Sequence, residues 1–171
     1  MVTSVHTFMI RKKLIRVLKN NNWQIVFFAA LQLAIVLYWI NYTPFTPRYH
    51  PDVELYFEYA GFMINGELPY RDFVPEYPPL SLLFMLLPRL ISSTIEIYAN
   101  AFTGMILSFN IAGLVIVSFL SRKLNINHTK TLFIYSLCFF ALGDIAINRF
   151  DVIPAILTLG AVYFYICKKY K

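Results

Sequence analysis

Residues 97–120 read IYANAFTGMILSFNIAGLVIVSFL, 24 residues without one charged side chain. As a helix at ~1.5 Å per residue this stretch measures ~36 Å, more than the ~30 Å hydrocarbon core of a bilayer. Three further apolar runs flank it, at 24–40, 131–147 and 152–167. Trp23, Tyr38, Trp39 and Tyr42 sit at the ends of the first, where interfacial aromatics anchor a span. The chain is 58% hydrophobic and 14% charged, whereas soluble domains carry about a quarter charged residues. The apolar residues are gathered into runs rather than spread at core spacing. The sequence therefore predicts an all-α membrane protein, a single transmembrane domain over 1–171 with four transmembrane helices.

Between the first two runs lies a polar loop, 42–96, with short juxtamembrane helices expected inside it. Its part 42–78 holds Pro44, Pro47, Pro51, Pro69, Pro75 and Pro78 and six of the nine acidic residues. Residues 79–91, PLSLLFMLLPRLI, are apolar all round but too short to span before Pro88 and Arg89. Charge decides whether they cross. If they do not, Arg11, Lys12, Lys13, Arg16, Lys19, Arg122, Lys123, Lys130, Lys168, Lys169 and Lys171 share one side. Those are eleven of the 15 basic residues, and the positive-inside rule makes that side cytoplasmic. Arg48, Arg71, Arg89 and Arg149 are then outside. The prediction is a multi-pass protein of the cell membrane with both termini cytoplasmic and a short helix packed on the outer side. No small-residue cleavage site follows 24–40, so that run reads as an uncleaved anchor.

The formal charge of +6 does not point to nucleic acid, because the basic residues flank apolar runs and form no basic face. Cys138 and Cys167 lie in apolar runs and read as small buried hydrophobes, not a disulfide. Gly104, Ser108 and Ala112 recur every four residues, a spacing that suits close helix packing.

The candidate chemistry sits in the outer loop. Residues 50–59 read HPDVELYFEY, 65–73 read NGELPYRDF and 75–80 read PEYPPL. Helical spacing over 53–64 places Leu55, Tyr59 and Met63 on one side, and Asn65-Gly66 ends the helix. Asp52 at its start is read either as the N-cap or as a carboxylate serving as general base or ligand of a divalent cation. Further on, Arg149 and Asp151 stand between the last two runs, and Asp144 lies within the third. Asp151 reads as a cap or as a site residue, and Arg149 as an interfacial cation or the partner of Asp144. Together with Arg71, Asp72 and Glu76 they bring both signs of charge to one membrane face. Such a site can hold a phosphate on arginine and activate a hydroxyl with a carboxylate.

Asp52, Tyr56, Tyr59, the run from Gly66 to Phe73, and Glu76-Tyr77-Pro78-Pro79-Leu80 resemble the first outer loop of the GT-C membrane glycosyltransferases. The likeness is nearest to the polyprenol-phosphate-mannose-dependent mannosyltransferase-like group, glycosyltransferase family 87. Arg149-Phe150-Asp151 before an apolar helix resembles the same group. The resemblance implies transfer of a sugar, mannose in that group, from a polyprenyl-phosphate donor to an acceptor hydroxyl on the non-cytoplasmic face. It implies Asp52 as the catalytic base, with Arg149 and Asp151 at the same substrate-binding site; Arg71 and Glu76 are added from charge and position. No residue is assigned as a metal ligand, and a divalent cation stays open as cofactor. Members of the family have longer chains with more spans. The chain is thus expected to be the N-terminal part of such an enzyme, split or degenerate, with a separate chain supplying the missing C-terminal spans. The alternative is a non-catalytic integral membrane subunit packing through Gly104, Ser108 and Ala112. A small transporter fits less well, because the charges gather at one face rather than along a central path.

Overall fold

The computed structural model describes residues 22–42 and 50–169. The N-terminal basic stretch through Lys19, Arg48 and Lys171, which enter the charge count, lie outside the described residues. The described residues form seven helices: α1 (Asn22–Tyr42), α2 (Pro51–Ile64), α3 (Pro79–Arg89), α4 (Ile95–Lys123), α5 (His128–Leu142), α6 (Ile145–Asn148) and α7 (Val152–Lys169). Among the described residues the only β pairing is an isolated bridge between Pro69 and Phe73. The chain is all-α, as its sequence predicts. Two helices, α1 and α4, are long and apolar enough to cross a membrane; α3, α5 and α7 are apolar but shorter.

The 29-residue helix α4 is the hub and packs on each of the other six. Thr94 starts it, its hydroxyl accepting the Ile97 N–H at 3.5 Å. Asn127 starts α5 in the same way, accepting the Lys130 N–H at 3.0 Å. Side chains fix the helix directions. Arg122 near the end of α4 donates to Asn22 Oδ1 at the start of α1, and Gln24 of α1 donates to Thr129 at the start of α5. So α1 runs antiparallel to α4 and parallel to α5. The pairs Gly113–Ile156 and Phe119–Tyr163 lay α7 parallel to α4. One end of the bundle therefore gathers Arg122, Lys123, Lys130 and Lys168. The other end carries the long loop and the α5–α7 connection.

Polar side chains join the helices inside the stem. Gln32 of α1 donates to Ser136 Oγ of α5 at 2.7 Å and accepts from Asn110 Nδ2 of α4 at 2.9 Å. The Tyr135 hydroxyl completes the network on Asn110 Oδ1 at 2.8 Å. Gln32, Asn110 and Ser136 are all buried, and satisfied polar contacts of this kind hold helices in register where neighbours are otherwise apolar. Close approach of α4 to α7 depends on Gly113, where a Cβ would overlap the Ile156 side chain and lie 2.5 Å from the Tyr135 hydroxyl. The expected packing stripe is placed otherwise. Gly104, Ser108 and Ala112 are exposed, and none of the described residues approaches within 4 Å of a Cβ built on Gly104.

Three local expectations change. The run 131–147 is not one helix: α5 stops at Leu142, and Gly143 with φ +66° and ψ −141° turns the chain before α6. Only glycine takes that conformation readily. Asp144 thus stands at the break, not within a span. The buried face of α2 is Val53, Tyr56, Tyr59 and Ala60, with Leu55 and Met63 only partly buried. In between, α3 behaves as expected. Pro78 and Pro79 start it, it ends at Arg89 with Pro88 in its last turn, and a bend separates it from α4.

Candidate functional site

The second helix begins with Pro51 at its first position, where a missing N–H costs nothing. His50 is its cap: Nδ1 accepts the Asp52 N–H at 3.2 Å. The capping reading of Asp52 is therefore corrected. Asp52 lies inside the first turn, where an acidic side chain suits the helix dipole, and its carboxylate is free for another partner. That partner is Arg149, with Nε 2.8 Å from Asp52 Oδ2. His50 Nδ1 stands 3.7 Å from the same oxygen. The Asp52 side chain is 24% exposed and that of Arg149 49%, so the pair sits at a surface and stays open to a ligand. Arg149 pairs here and not with Asp144.

Arg149 reaches Asp52 because the chain around it is pinned. It follows α6 in extended backbone, and the next residue, Phe150, is buried in the core cluster of α2, α3 and α4. The Phe150 N–H donates to the Tyr56 hydroxyl at 3.4 Å, and that hydroxyl shares a hydrogen bond with the Tyr77 hydroxyl at 3.1 Å. The Tyr77 ring meets both Tyr56 and Phe150 edge-on. Burial, and then the Tyr77 hydrogen bond, raise the Tyr56 phenol far above its ordinary range. It therefore stays a neutral donor and acceptor. A tyrosine relay thus binds α2, the entry to α3 and the α6–α7 connection into one unit around the ion pair. Charge, which points to Asp52 and Arg149, does not single out His50, Tyr56 or Tyr77. Tyr56 and Tyr77 stand in the very stretches that carry the family resemblance, and that was the available signal.

The other candidates are placed differently. Arg71 grips its neighbour Asp72 with both arms, Nε to Oδ1 at 2.9 Å and a terminal nitrogen to Oδ2 at 2.7 Å. Asp72 also accepts the Leu68 N–H at 2.8 Å. These contacts lower the Asp72 carboxyl and raise Arg71 from their ordinary values, the mutual hydrogen bond being the larger cause in each. They close a tight exposed turn, which Tyr70, at φ +65°, joins to the relay by donating to the Tyr77 carbonyl. Glu76 and Asp151 are exposed, and among the described residues their carboxylates form no ion pair with Arg149. The structure thus brings Asp52 and Arg149 together, and among the described residues neither bonds directly to Arg71, Glu76 or Asp151.

Among the described residues no three His, Cys, Asp or Glu side chains converge as metal ligands do. A cavity of about 400 Å³ lies elsewhere, between α1 and α5, lined by Leu31, Ile35, Tyr38, Phe133, Ser136 and Phe140 among others. Compared with family models, with curated proteins and with solved structures, the chain matches none.

Proposed function

We propose that the chain is a polytopic membrane protein working in lipid-linked sugar transfer, with the Asp52–Arg149 pair as its working centre. The observation that carries this is the 2.8 Å pair itself. It joins the two separate stretches that resemble the GT-C glycosyltransferases, and it sets a carboxylate beside a half-exposed guanidinium. In the proposed reaction the acceptor hydroxyl attacks the sugar carbon and Asp52 takes its proton. The bond from that carbon to the lipid phosphate breaks, and Arg149 receives the departing phosphate anion. The reading includes a separate chain that supplies further spans.

Four spans with both termini cytoplasmic belong to the same reading. Two features support it. Only 22% of the most apolar stretch of α1 and 33% of that of α4 are buried within the chain, unlike the core helices of a soluble domain. Arg122, Lys123, Lys130 and Lys168 also gather at the end of the bundle opposite the site. Asn65 and Asn125 are exposed at opposite ends of this arrangement. Cysteines placed there are expected to react from outside at Asn65 and not at Asn125; the reverse sinks the topology. For the chemistry, Asp52→Asn keeps the shape of the side chain. It is expected to cut transfer by the completed enzyme about 10²–10⁴-fold without loss of expression, and near-normal transfer overturns the assignment.

A second reading, a non-catalytic subunit or degenerate copy, is favoured by one observation. The small-residue face of Gly104, Ser108 and Ala112 is left uncovered by the chain, as a partner helix would need.

A further inference from the structure

Asn148, the residue before Arg149, is fully buried, and neither its side-chain nitrogen nor its oxygen has a hydrogen-bond partner among the described residues. Folded chains seldom keep such a group, because an amide taken from water without replacement bonds destabilises the fold. The contrast lies within this molecule: Gln32 and Asn110, equally buried, bond to each other and to neighbouring hydroxyls. Asn148 stands in the chain between Ile147, packed with Ile35, Val36 and Phe139, and Phe150, packed with Tyr56 and Phe102. At such a seam a leucine of similar size would serve folding better. A local choice that works against stability marks a position kept for function.

The segment carrying Asn148 is a single short turn. The helix α6 has four residues, bounded by the Gly143 turn and the extended backbone of Arg149. The Ile147 and Asn148 N–H groups both bond back to the Asp144 carbonyl. A ligand anion that draws Arg149 from Asp52 pulls on the residue next to it. An amide offers a donor and an acceptor side by side, which matches neighbouring hydroxyls; a phosphate could use only its donor. We propose that Asn148 binds the hydroxyl groups of the sugar while Arg149 holds the phosphate, the ligand supplying the bonds the amide lacks. This rests on the lipid-linked sugar reading above.

The test measures binding of farnesyl phosphate and of farnesyl phosphate mannose to the full chain in detergent, with its thermal unfolding. Wild type is expected to bind the mannosylated lipid about tenfold more tightly, the scale of one well-made amide contact. Asn148→Leu is expected to bind both lipids alike and to melt at or above the wild-type temperature. Retention of the preference by Asn148→Leu overturns the assignment. A failure of that variant to fold, or a clear drop in melting temperature, does the same, since the amide would then be structural and bonded to a buried water. If wild type binds both lipids equally, the role of Asn148 falls and the lipid-linked reading stands. If it binds neither, both fall.

Discussion

The stem, where α1, α4 and α5 pack together, and the head, formed by α2, α3 and the α6–α7 connection, both bury side-chain amides, and they treat them differently. In the stem, Gln32, Asn110, Tyr135 and Ser136 bond one another across α1, α4 and α5. In the head, the Asp52–Arg149 pair is half open, and Asn148 beside it has nothing to bond. Satisfied polar groups fix the geometry of a helix bundle. Unsatisfied ones weaken it, and the stem too keeps a few, among them the Ser118 hydroxyl and His128 Nε2. What sets Asn148 apart is a whole buried amide with neither atom bonded, next to the Asp52–Arg149 pair.

Substitutions in the stem sharpen this contrast most. Gly113→Val would drive side-chain atoms into Ile156 and the bonded Tyr135 hydroxyl. It is expected to cost about 3 kcal/mol of stability in detergent, the upper end for overpacking. Gly104→Val, on the uncovered face of the same helix, is expected to change the melting temperature little. Equal effects at the two glycines would contradict the packing described. Gln32→Leu strips Asn110 Nδ2 of its acceptor and should cost about 2 kcal/mol, the range for a buried group left unpaired. An unchanged melting temperature for Gln32→Leu would break the contrast with Asn148→Leu.

The head gives smaller effects. Tyr56→Phe removes the hydroxyl that takes the Phe150 N–H and meets Tyr77, an expected loss of about 1 kcal/mol. Its larger signature is functional, since it loosens Arg149 from Asp52. A Tyr56→Phe variant with normal stability and full activity would show that the relay positions nothing. The smallest effect is at Asp72. Its folded carboxyl is lowered, first by Arg71 and then by the Leu68 N–H. Its contribution is therefore present above the unfolded carboxyl pKa and is lost as pH falls through the lowered folded value. Asp72→Asn should slightly flatten the acid limb of melting temperature against pH. The group is fully exposed, so a large change there would be unexpected.

The apolar runs made α1 and α4 legible in the sequence, and the proline pairs bounded α3. Other features depend on neighbours that no single stretch contains. The break at Gly143 was hidden because apolar residues continue on both sides of it, and one glycine in such a run reads as helix. The small-residue stripe was real as a spacing, yet spacing on one helix cannot say which face meets a neighbour; Gly113 does, and Gly104 does not. Asp52 was read as a possible cap because aspartate caps well, whereas Pro51 starts the helix one residue earlier and leaves the cap to His50. Charge led to Asp52 and Arg149 from opposite ends of the chain. It did not lead to the tyrosines that hold them together, because a phenol in an aromatic-rich sequence carries no mark of its partner.

The most direct test is chemical rescue at Asp52. Asp52→Ala removes the carboxylate and leaves room for a small one. Transfer of mannose from a polyprenyl phosphate by the completed enzyme should fall about 10²–10⁴-fold, and added formate should restore part of the rate in proportion to its concentration. A near-wild-type rate for Asp52→Ala without formate would contradict the assignment of Asp52 as the base.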